Sequence, residues 1–243
     1  MRGLIFMTVM MGLVAGGAGW FFFGGEGDQV DLTPGIIKDM RAFEAAEELA
    51  AQGDREGYYR LGLHYLEGRG TSRDERAALK SFTIAARASH ADAQYRLAKM
   101  YEKGIGVRQN YFKAAEWYEI AASIHGHPGA MFALGDLYIA GRGVPNDNGV
   151  AADWFEKAAI QGHAPSQFIL GAFEEEGWGR DRDYVRAYAW YSLASRDVEA
   201  VETAKPSFDV MASLTGLESR MNRAQLAEAR RFKKRLEARI GRP

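Results

Sequence analysis

The sequence predicts an all-α protein: a solenoid of four helical hairpins with capping helices, preceded by an N-terminal hydrophobic helix. Two observations predict the solenoid. A block of residues recurs every 36 or 37 positions, and the frequent glycines fall at fixed places within that block. An uncharged apolar run directly after Met1 and Arg2 predicts the N-terminal helix.

Composition excludes several classes of function. Cysteine is absent, which excludes disulfides, thiolate metal sites and a cysteine nucleophile. The 31 Lys and Arg residues nearly balance the 32 Asp and Glu residues, so net charge gives no reason to expect a nucleic-acid partner.

The apolar run is expected to target the chain to a membrane. Residues 3–25 match the roughly 20 residues that a spanning helix needs. Arg2 precedes the run and Glu26 follows it, so the positive-inside rule places the N-terminus in the cytoplasm and the rest of the chain across the membrane. A signal peptide cleaved after Ala18 is the alternative, and it would release a soluble protein. The aromatic residues 20–23 continue the run past that point and favour an uncleaved anchor.

The repeats are visible as columns of residues that recur in the same order. Each copy carries a leucine followed by Gly or Ala, and three copies carry a tyrosine four residues after the leucine. These positions are Leu61, Leu97, Leu134, Leu170, Tyr65, Tyr101 and Tyr138. A Gly-x-Gly then ends the first helix, because glycine accepts the left-handed conformation of a helix C-cap. The glycines are Gly68, Gly70, Gly104, Gly106, Gly141, Gly143, Gly177 and Gly179.

A second block follows in step and predicts the second helix of each hairpin. It carries an aromatic residue and, three residues later, Ala-Ala or Ala-Ser. In three copies a tryptophan precedes the aromatic residue: Trp117, Trp154 and Trp190. A polar residue six positions after the first glycine is expected to cap this helix. The caps are Asp74, Asn110, Asp147 and Asp183. Because one hairpin cannot bury its apolar face alone, neighbouring hairpins are expected to stack.

The predicted organisation has five parts. They are an anchor or signal peptide (1–25), a linker (26–35), an N-terminal capping helix (36–56), four repeats (57–92, 93–129, 130–165 and 166–195), and a connector with C-terminal capping helices (196–243). In the last part, Pro206 is expected in the first turn of a helix that carries Phe208 on its apolar face. Asn222 and Gln225 predict a capping box for a final helix. Residues 198–205 are either a charged connector or a helix extension.

These columns resemble the Sel-one-like repeat family, a branch of the tetratricopeptide-like α-solenoids. Repeats two and three carry nearly the whole family pattern, including Lys113 and Trp117. Repeat four departs from it, with Glu174 in place of the tyrosine and Arg180 in place of a valine. The resemblance implies a non-catalytic adaptor that binds protein partners, often in the bacterial envelope. The repeat domain is then expected in the periplasm, attached to the inner membrane.

The first helices are expected to line a concave, partner-binding face, by analogy with tetratricopeptide repeats. Positions one and five residues after the Gly/Ala column point to that face and vary in chemistry between repeats. They are Leu63, Glu67, Lys99, Lys103, Asp136, Ala140, Ala172 and Glu176. A protein partner of unknown identity is therefore predicted.

The sequence gives little support for a catalytic site or a metal site. The acidic run Glu174–Glu176 would serve an envelope hydrolase or glycan-binding factor, but adjacent helical residues point in different directions, which favours a solvated helix end. His125 and His127 are too few for a metal site and are expected to be loop residues without a role. No enzyme, metal or cofactor is predicted.

Two features bear on other partners. Residues 220–243 hold nine Lys or Arg and two acids. They are expected to form a capping helix with a polar outer face, and binding to an anionic membrane or an acidic partner is the alternative. Gly12 and Gly16 are spaced for weak self-association of the anchor, although glycine is common in membrane segments in any case.

Overall fold

The computed structural model describes residues 20–23, 29–32 and 34–240. In chain order the elements are β1 (Trp20–Phe23), β2 (Gln29–Leu32), α1 (Pro34–Ala51), α2 (Arg55–Glu67), α3 (Glu75–Arg87), α4 (Ala91–Lys103), α5 (Tyr111–His125), α6 (Pro128–Ala140), α7 (Asn148–Ile160), α8 (Ala164–Glu176), α9 (Tyr184–Ala194), α10 (Val198–Ala204), α11 (Val210–Arg220) and α12 (Arg223–Glu237). They belong to two compact units, Met1–Ala88 with α1–α3 and Ser89–Pro243 with α4–α12.

The two strands pair antiparallel, with Trp20 opposite Leu32 and Phe23 opposite Gln29. Trp20–Phe23 is predicted to end the N-terminal hydrophobic helix, and for these four residues that prediction is wrong. Runs of aromatic residues also favour a strand where a partner strand is available. The rest of the predicted helix lies outside the described residues. Among the helices that the structure does describe, none combines the length and the apolar character needed to span a membrane.

In the first unit, α1 packs on α2, and α2 forms a hairpin with α3. Ala46 and Ala50 of α1 share a buried cluster with Leu61 of α2. The rings of Phe43 and Tyr65 meet edge to face, with centroids 5.5 Å apart. The helix α1 therefore covers the apolar face of this hairpin on its N-terminal side.

The second unit stacks the hairpins α4–α5, α6–α7 and α8–α9 in chain order, because each second helix also packs on the first helix that follows it. Buried residues from α4, α5 and α6 form one continuous cluster. The last second helix, α9, is covered by α11 and α12, while α10 lies on α8. Stacked hairpins of this kind form an α-solenoid, and the C-terminal helices close its end.

The predicted packing columns differ in burial. The leucine column is buried in every repeat and the tyrosine column is half-buried. Of the tryptophans, Trp190 is fully buried, whereas Trp117 and Trp154 are half-buried. Trp190 is enclosed because it shares a cluster with Leu236 of α12, and α12 packs on α9.

Small residues in the first helix of a hairpin allow an aromatic ring of the second helix to contact the helix backbone. A Cβ added at Gly135 would lie 2.5 Å from the Phe155 ring, and one added at Gly171 would lie 2.7 Å from the Tyr191 ring. Carbon atoms in favourable contact are about 3.5–4 Å apart, so a methyl group does not fit unless the ring moves. The glycine thus sets the distance between the two helices.

The two glycines of each Gly-x-Gly have different uses. Gly104 ends α4 in the left-handed conformation (φ 73°), and its N–H donates to the carbonyl of Met100. The second glycine approaches the preceding repeat: a Cβ added at Gly143 would lie 2.4 Å from the carbonyl of Tyr111, at the start of α5. The motif therefore shapes the hairpin turn and also allows close stacking on the hairpin before it.

Polar caps begin the helices that follow. The second helices start after Asp74, Asn110, Asp147 and Asp183, whose side chains accept backbone N–H groups. At the C-terminal end, Asn222 and Gln225 form a capping box for α12. Residues 198–204 are helical as α10, capped by Asp197.

Pro206 does not open a helix, and the prediction that places it in a first turn is wrong. The side chain of Asp209 accepts the N–H of Ala212, so the helix α11 starts at Val210. Phe208 therefore lies before the helix, in the segment that joins α10 to α11. A carboxylate cap at Asp209 overrides the preference of proline for a first helical turn.

We expect Gly135→Ala to destabilise the protein by about 1–3 kcal/mol, because the added methyl group overpacks the Phe155 ring. Gly216→Ala is the matched control, since nothing lies within 4 Å of a Cβ at that position in α11. There the better helix propensity of alanine should stabilise the protein by up to about 1 kcal/mol. Urea unfolding followed by circular dichroism measures both changes. Changes of the same sign and size would contradict the steric role of Gly135.

Candidate functional site

The eight residues predicted for the partner-binding face lie on first helices in both units. On α2, in the first unit, Glu67 is exposed and Leu63 is half-buried. The other six lie on α4, α6 and α8 of the second unit. Three of these are exposed, namely Lys103, Ala140 and Glu176. Three are half-buried, namely Lys99, Asp136 and Ala172.

At α4 this face is open and basic. Arg96, Lys99 and Lys103 are spaced by three and four residues, which places them on one side of the helix. The Nζ atom of Lys99 lies 5.3 Å from the centroid of the Tyr95 ring, a distance typical of a cation–π contact. This part of the face thus presents positive charge next to an aromatic ring.

At α6 and α8 part of the same face is covered by the chain's own C-terminal segment. The Nζ atom of Lys205 lies 2.8 Å from Oδ1 of Asp136, and the Phe208 ring lies 4.5 Å from the Phe168 ring. Burial raises the pKa of Asp136, and the Lys205 ammonium opposes that shift. Ala172 packs against a cluster to which α9–α12 contribute. Lys205 and Phe208 are missed from sequence because no repeat column includes them.

Two buried tyrosines in second helices donate hydrogen bonds to first-helix glutamates of the same hairpin. Tyr118 bonds Glu102 at 2.6 Å, and Tyr191 bonds Glu175 at 2.8 Å. Burial and the adjacent carboxylate raise the pKa of both phenols, so they stay protonated and donate. In repeats one and three the two positions are apolar: Phe82 with Leu66, and Phe155 with Ile139. This paired change is a signal in the sequence that could have predicted the contact.

Three histidines cap first helices. His90, His127 and His163 accept the backbone N–H groups of Ala93, Ala130 and Ser166. An accepting ring nitrogen must be unprotonated, and burial lowers the pKa of His127 and lowers that of His163 to about 4. The prediction that His127 is a loop residue without a role is therefore wrong. It was missed because Asp, Asn and Ser are the usual caps.

The capping histidines also join successive repeats of the second unit. The His127 ring stacks on Tyr95 of the preceding first helix, with centroids 4.5 Å apart, and His163 lies 5.3 Å from Phe132. The Nε2 atom of His127 lies 3.3 Å from Oδ1 of Asp92. Each ring thus caps one helix and packs on another.

Glu174, which replaces the tyrosine of repeat four, is buried. It pairs with Arg186 at 2.8 Å and lies 3.7 Å from Arg180, which replaces the valine of the same repeat. Arg180 also pairs with Asp153 and Glu156 of α7. Burial raises the pKa of Glu174, while the two arginines oppose the shift. The two departures from the family pattern compensate each other, and the prediction of a solvated helix end is wrong for Glu174.

The acidic run does not assemble a catalytic pair. Glu175 accepts from Tyr191 and pairs with Arg220, whereas Glu176 is exposed. Together with the pairing of Glu174, these contacts give the three carboxylates separate surroundings. Within the part of the chain that the structure describes, no three His, Asp or Glu side chains group as a metal site.

We expect the free energy of unfolding to fall as the pH is lowered from 6.5 towards 4. In this range the unfolded chain takes up a proton at His163, whereas the folded chain, with a pKa of about 4, does not. In His163→Asn the cap remains but no longer titrates, so stability should fall less steeply.

The measurement is urea unfolding at pH 7 and pH 5. His125→Asn, at an exposed position, is the control and should keep the wild-type pH dependence. An unchanged pH dependence in His163→Asn would show that this cap does not govern the loss.

Comparison with known proteins supports the assignment of four repeats. Residues 55–90, 91–124, 128–163 and 164–197 each match the family described as Sel1 repeat. Protein sel-1 homolog 2 of Rattus norvegicus is 36% identical over 74 residues, which is 30% of this chain and 11% of that protein. DAP3-binding cell death enhancer 1 of Rattus norvegicus is 29% identical over 99 residues, which is 40% of this chain and 19% of that protein. The chain thus matches only a small part of these relatives.

A solved structure is also similar. The Sel1 repeat protein from Oxalobacter formigenes aligns with a TM-score of 0.62 at 30% identity, over 65% of this chain and 64% of that chain. Sel1 repeat proteins generally mediate protein–protein interactions and are generally non-catalytic scaffolds. The four matched stretches cover more than half of the chain and coincide with the hairpins α2–α3, α4–α5, α6–α7 and α8–α9, so the chain belongs to the Sel1 repeat family.

Proposed function

We propose that this protein is a non-catalytic adaptor that binds a protein partner on the first-helix face of its second unit. The observation that carries the proposal is the difference between two sets of positions on the same helices. The leucine column is buried and invariant between repeats, whereas positions such as Lys103, Ala140 and Glu176 are exposed and change in chemistry. Packing does not dictate these residues, which leaves them available for a partner.

The open α4 end supports a partner segment with acidic side chains. Lys99 and Lys103 form no salt bridge among the described residues, and Lys99 lies over the Tyr95 ring. A carboxylate docking here gains charge-assisted contacts, and the half-buried Tyr95 ring lies next to it. Lys205 and Phe208 cover part of the α6–α8 end, so we place the first partner contacts on α4.

Site-specific photo-crosslinking tests this proposal. A photoreactive residue placed at Lys99 or Lys103 in the full chain should crosslink to the same protein in cells. Glu116 and Glu119 on α5 are matched controls, because both are exposed and lie on a second helix. The proposal predicts no crosslink from these α5 positions. Equal crosslinking from α4 and α5 would contradict a binding site on the first helices.

We further propose that the repeats are presented on the periplasmic side of a bacterial inner membrane, anchored through residues 3–25. The uncharged length of that segment and the change of charge from Arg2 to Glu26 support this orientation. A soluble periplasmic or secreted form, released by signal cleavage, is the alternative.

An alkaline phosphatase fusion after residue 35 should be active, because the enzyme folds only in an oxidising compartment. Sequencing the N-terminus of the mature protein then separates the anchored form, which begins at or next to Met1, from the cleaved form. An inactive fusion with full expression would show that the orientation is wrong.

A further inference from the structure

The segment 205–209 crosses the first-helix face of α6 and α8. From here on, the name connector refers to these five residues only. The connector joins α10 to α11 and contacts the face through its first and fourth residues. The Lys205 ammonium lies 2.8 Å from the Asp136 carboxylate, and the Phe208 ring lies 4.5 Å from the Phe168 ring. Pro206 and Ser207, between them, are exposed.

The ammonium of Lys205 is recognised by two kinds of group. Besides the carboxylate of Asp136, it has the ring of Phe132 at 5.7 Å and the ring of Phe208 at 5.6 Å. Both distances are within the range in which an aromatic face attracts a cation. The charge is therefore held between a carboxylate and two rings, and the segment pairs a cation with an aromatic residue three positions later.

The surface that the connector contacts consists of residues at positions that recur in each repeat. Asp136 follows Phe132 by one helical turn, so the two side chains share a face of α6. Phe168 occupies the position of Phe132 in the next repeat. It is 6% exposed, whereas Phe132 and the equivalent Tyr95 are half-buried. Phe168 packs between Tyr191 and Phe208, with ring centroids 5.1 and 4.5 Å away.

The connector itself is held by few other bonds. Its backbone makes a helix-end bond from Lys205 N–H to the carbonyl of Val201, and a turn bond from Phe208 N–H to the carbonyl of Lys205. Asp209 caps α11 through Ala212, a local contact that does not involve α6 or α8. Two side chains thus supply most of the attachment to the first-helix face.

We propose that Asp136, Phe132 and Phe168 form a peptide-binding site for segments that carry Lys or Arg three residues before an aromatic residue, and that the connector occupies this site in cis. The inference deepens the proposed function, because it assigns a second kind of partner segment to the same face. It rests on the proposed function in one respect, namely that the segment that replaces the connector belongs to a partner protein. A tethered segment acts at an effective concentration of about millimolar, so a free segment competes poorly until the connector is displaced.

Peptide binding to the full chain tests the site. The probe is a fluorescein-labelled peptide with the sequence of residues 203–210, Thr-Ala-Lys-Pro-Ser-Phe-Asp-Val. Fluorescence anisotropy should show at least about tenfold tighter binding to the variant K205A/F208A than to the wild type, because the competing segment is gone. Adding Asp136→Asn to that variant should remove most of the gain. Peptides with alanine in place of the lysine or the phenylalanine should bind no better to K205A/F208A than to the wild type.

Equal binding of the probe to a folded K205A/F208A variant and to the wild type would overturn the proposal, and so would binding that is insensitive to Asp136→Asn. If K205A/F208A does not fold, hydrogen exchange on the wild type decides. Excess unlabelled peptide should speed exchange of the connector amides, and the Phe→Ala peptide should not. Unchanged exchange at saturating peptide would overturn the inference.

The proposed function is tested by a separate experiment, because the photo-crosslinks from α4 depend on a cellular partner and not on this peptide.

Discussion

In three of the four hairpins the packing depends on the absence of a side chain at one position of the first helix, where the remaining hairpin has Ala98. At Gly62, Gly135 and Gly171 an added Cβ would lie within 2.7 Å of an aromatic ring from the second helix. Glycine in a helix costs about 1 kcal/mol relative to alanine, but complete burial of a phenylalanine side chain contributes about 1.5–3 kcal/mol. The close approach is therefore favourable overall. It also sets the spacing of the hairpin, on which the repeated caps and turns depend.

The second constraint acts between hairpins and again depends on a glycine. Gly143 and Gly179 have positive φ and approach the first turn of the preceding second helix so closely that no Cβ fits. Histidine caps add a side-chain contact to this backbone contact, since His127 and His163 each pack on an aromatic residue one repeat earlier. Within the second unit, stacking is thus specified by a steric fit and by rings that must stay neutral to serve as acceptors.

Much of this could be predicted from periodicity, because a packing contact that recurs in every repeat leaves the same residue type in every copy. The leucine column, the glycine turns and the Asp or Asn caps belong to this class. Contacts that occur once leave no column. From the sequence alone, Glu174 is predicted to be a surface acid, because its partners Arg180 and Arg186 lie on the following turn and helix. Pro206 suggests a helix start because its neighbour Asp209 competes for the same role, and sequence alone does not rank the two.

The contacts that occur only once in the structure also determine which part of the first-helix face is available to a partner. A repeat stack must cover the apolar face of its last hairpin, and here α11 and α12 cover α9 while α10 lies on α8. Reaching α11 from α10 requires the chain to cross α8 and α6, which brings Lys205 to Asp136 and Phe208 to Phe168. Closing the stack thus covers part of the α6–α8 face, while α4 keeps the exposed Lys103 and the half-buried Lys99. The two ends of this face therefore favour ligands of opposite charge, and the covering segment itself shows the chemistry that fits the closed end.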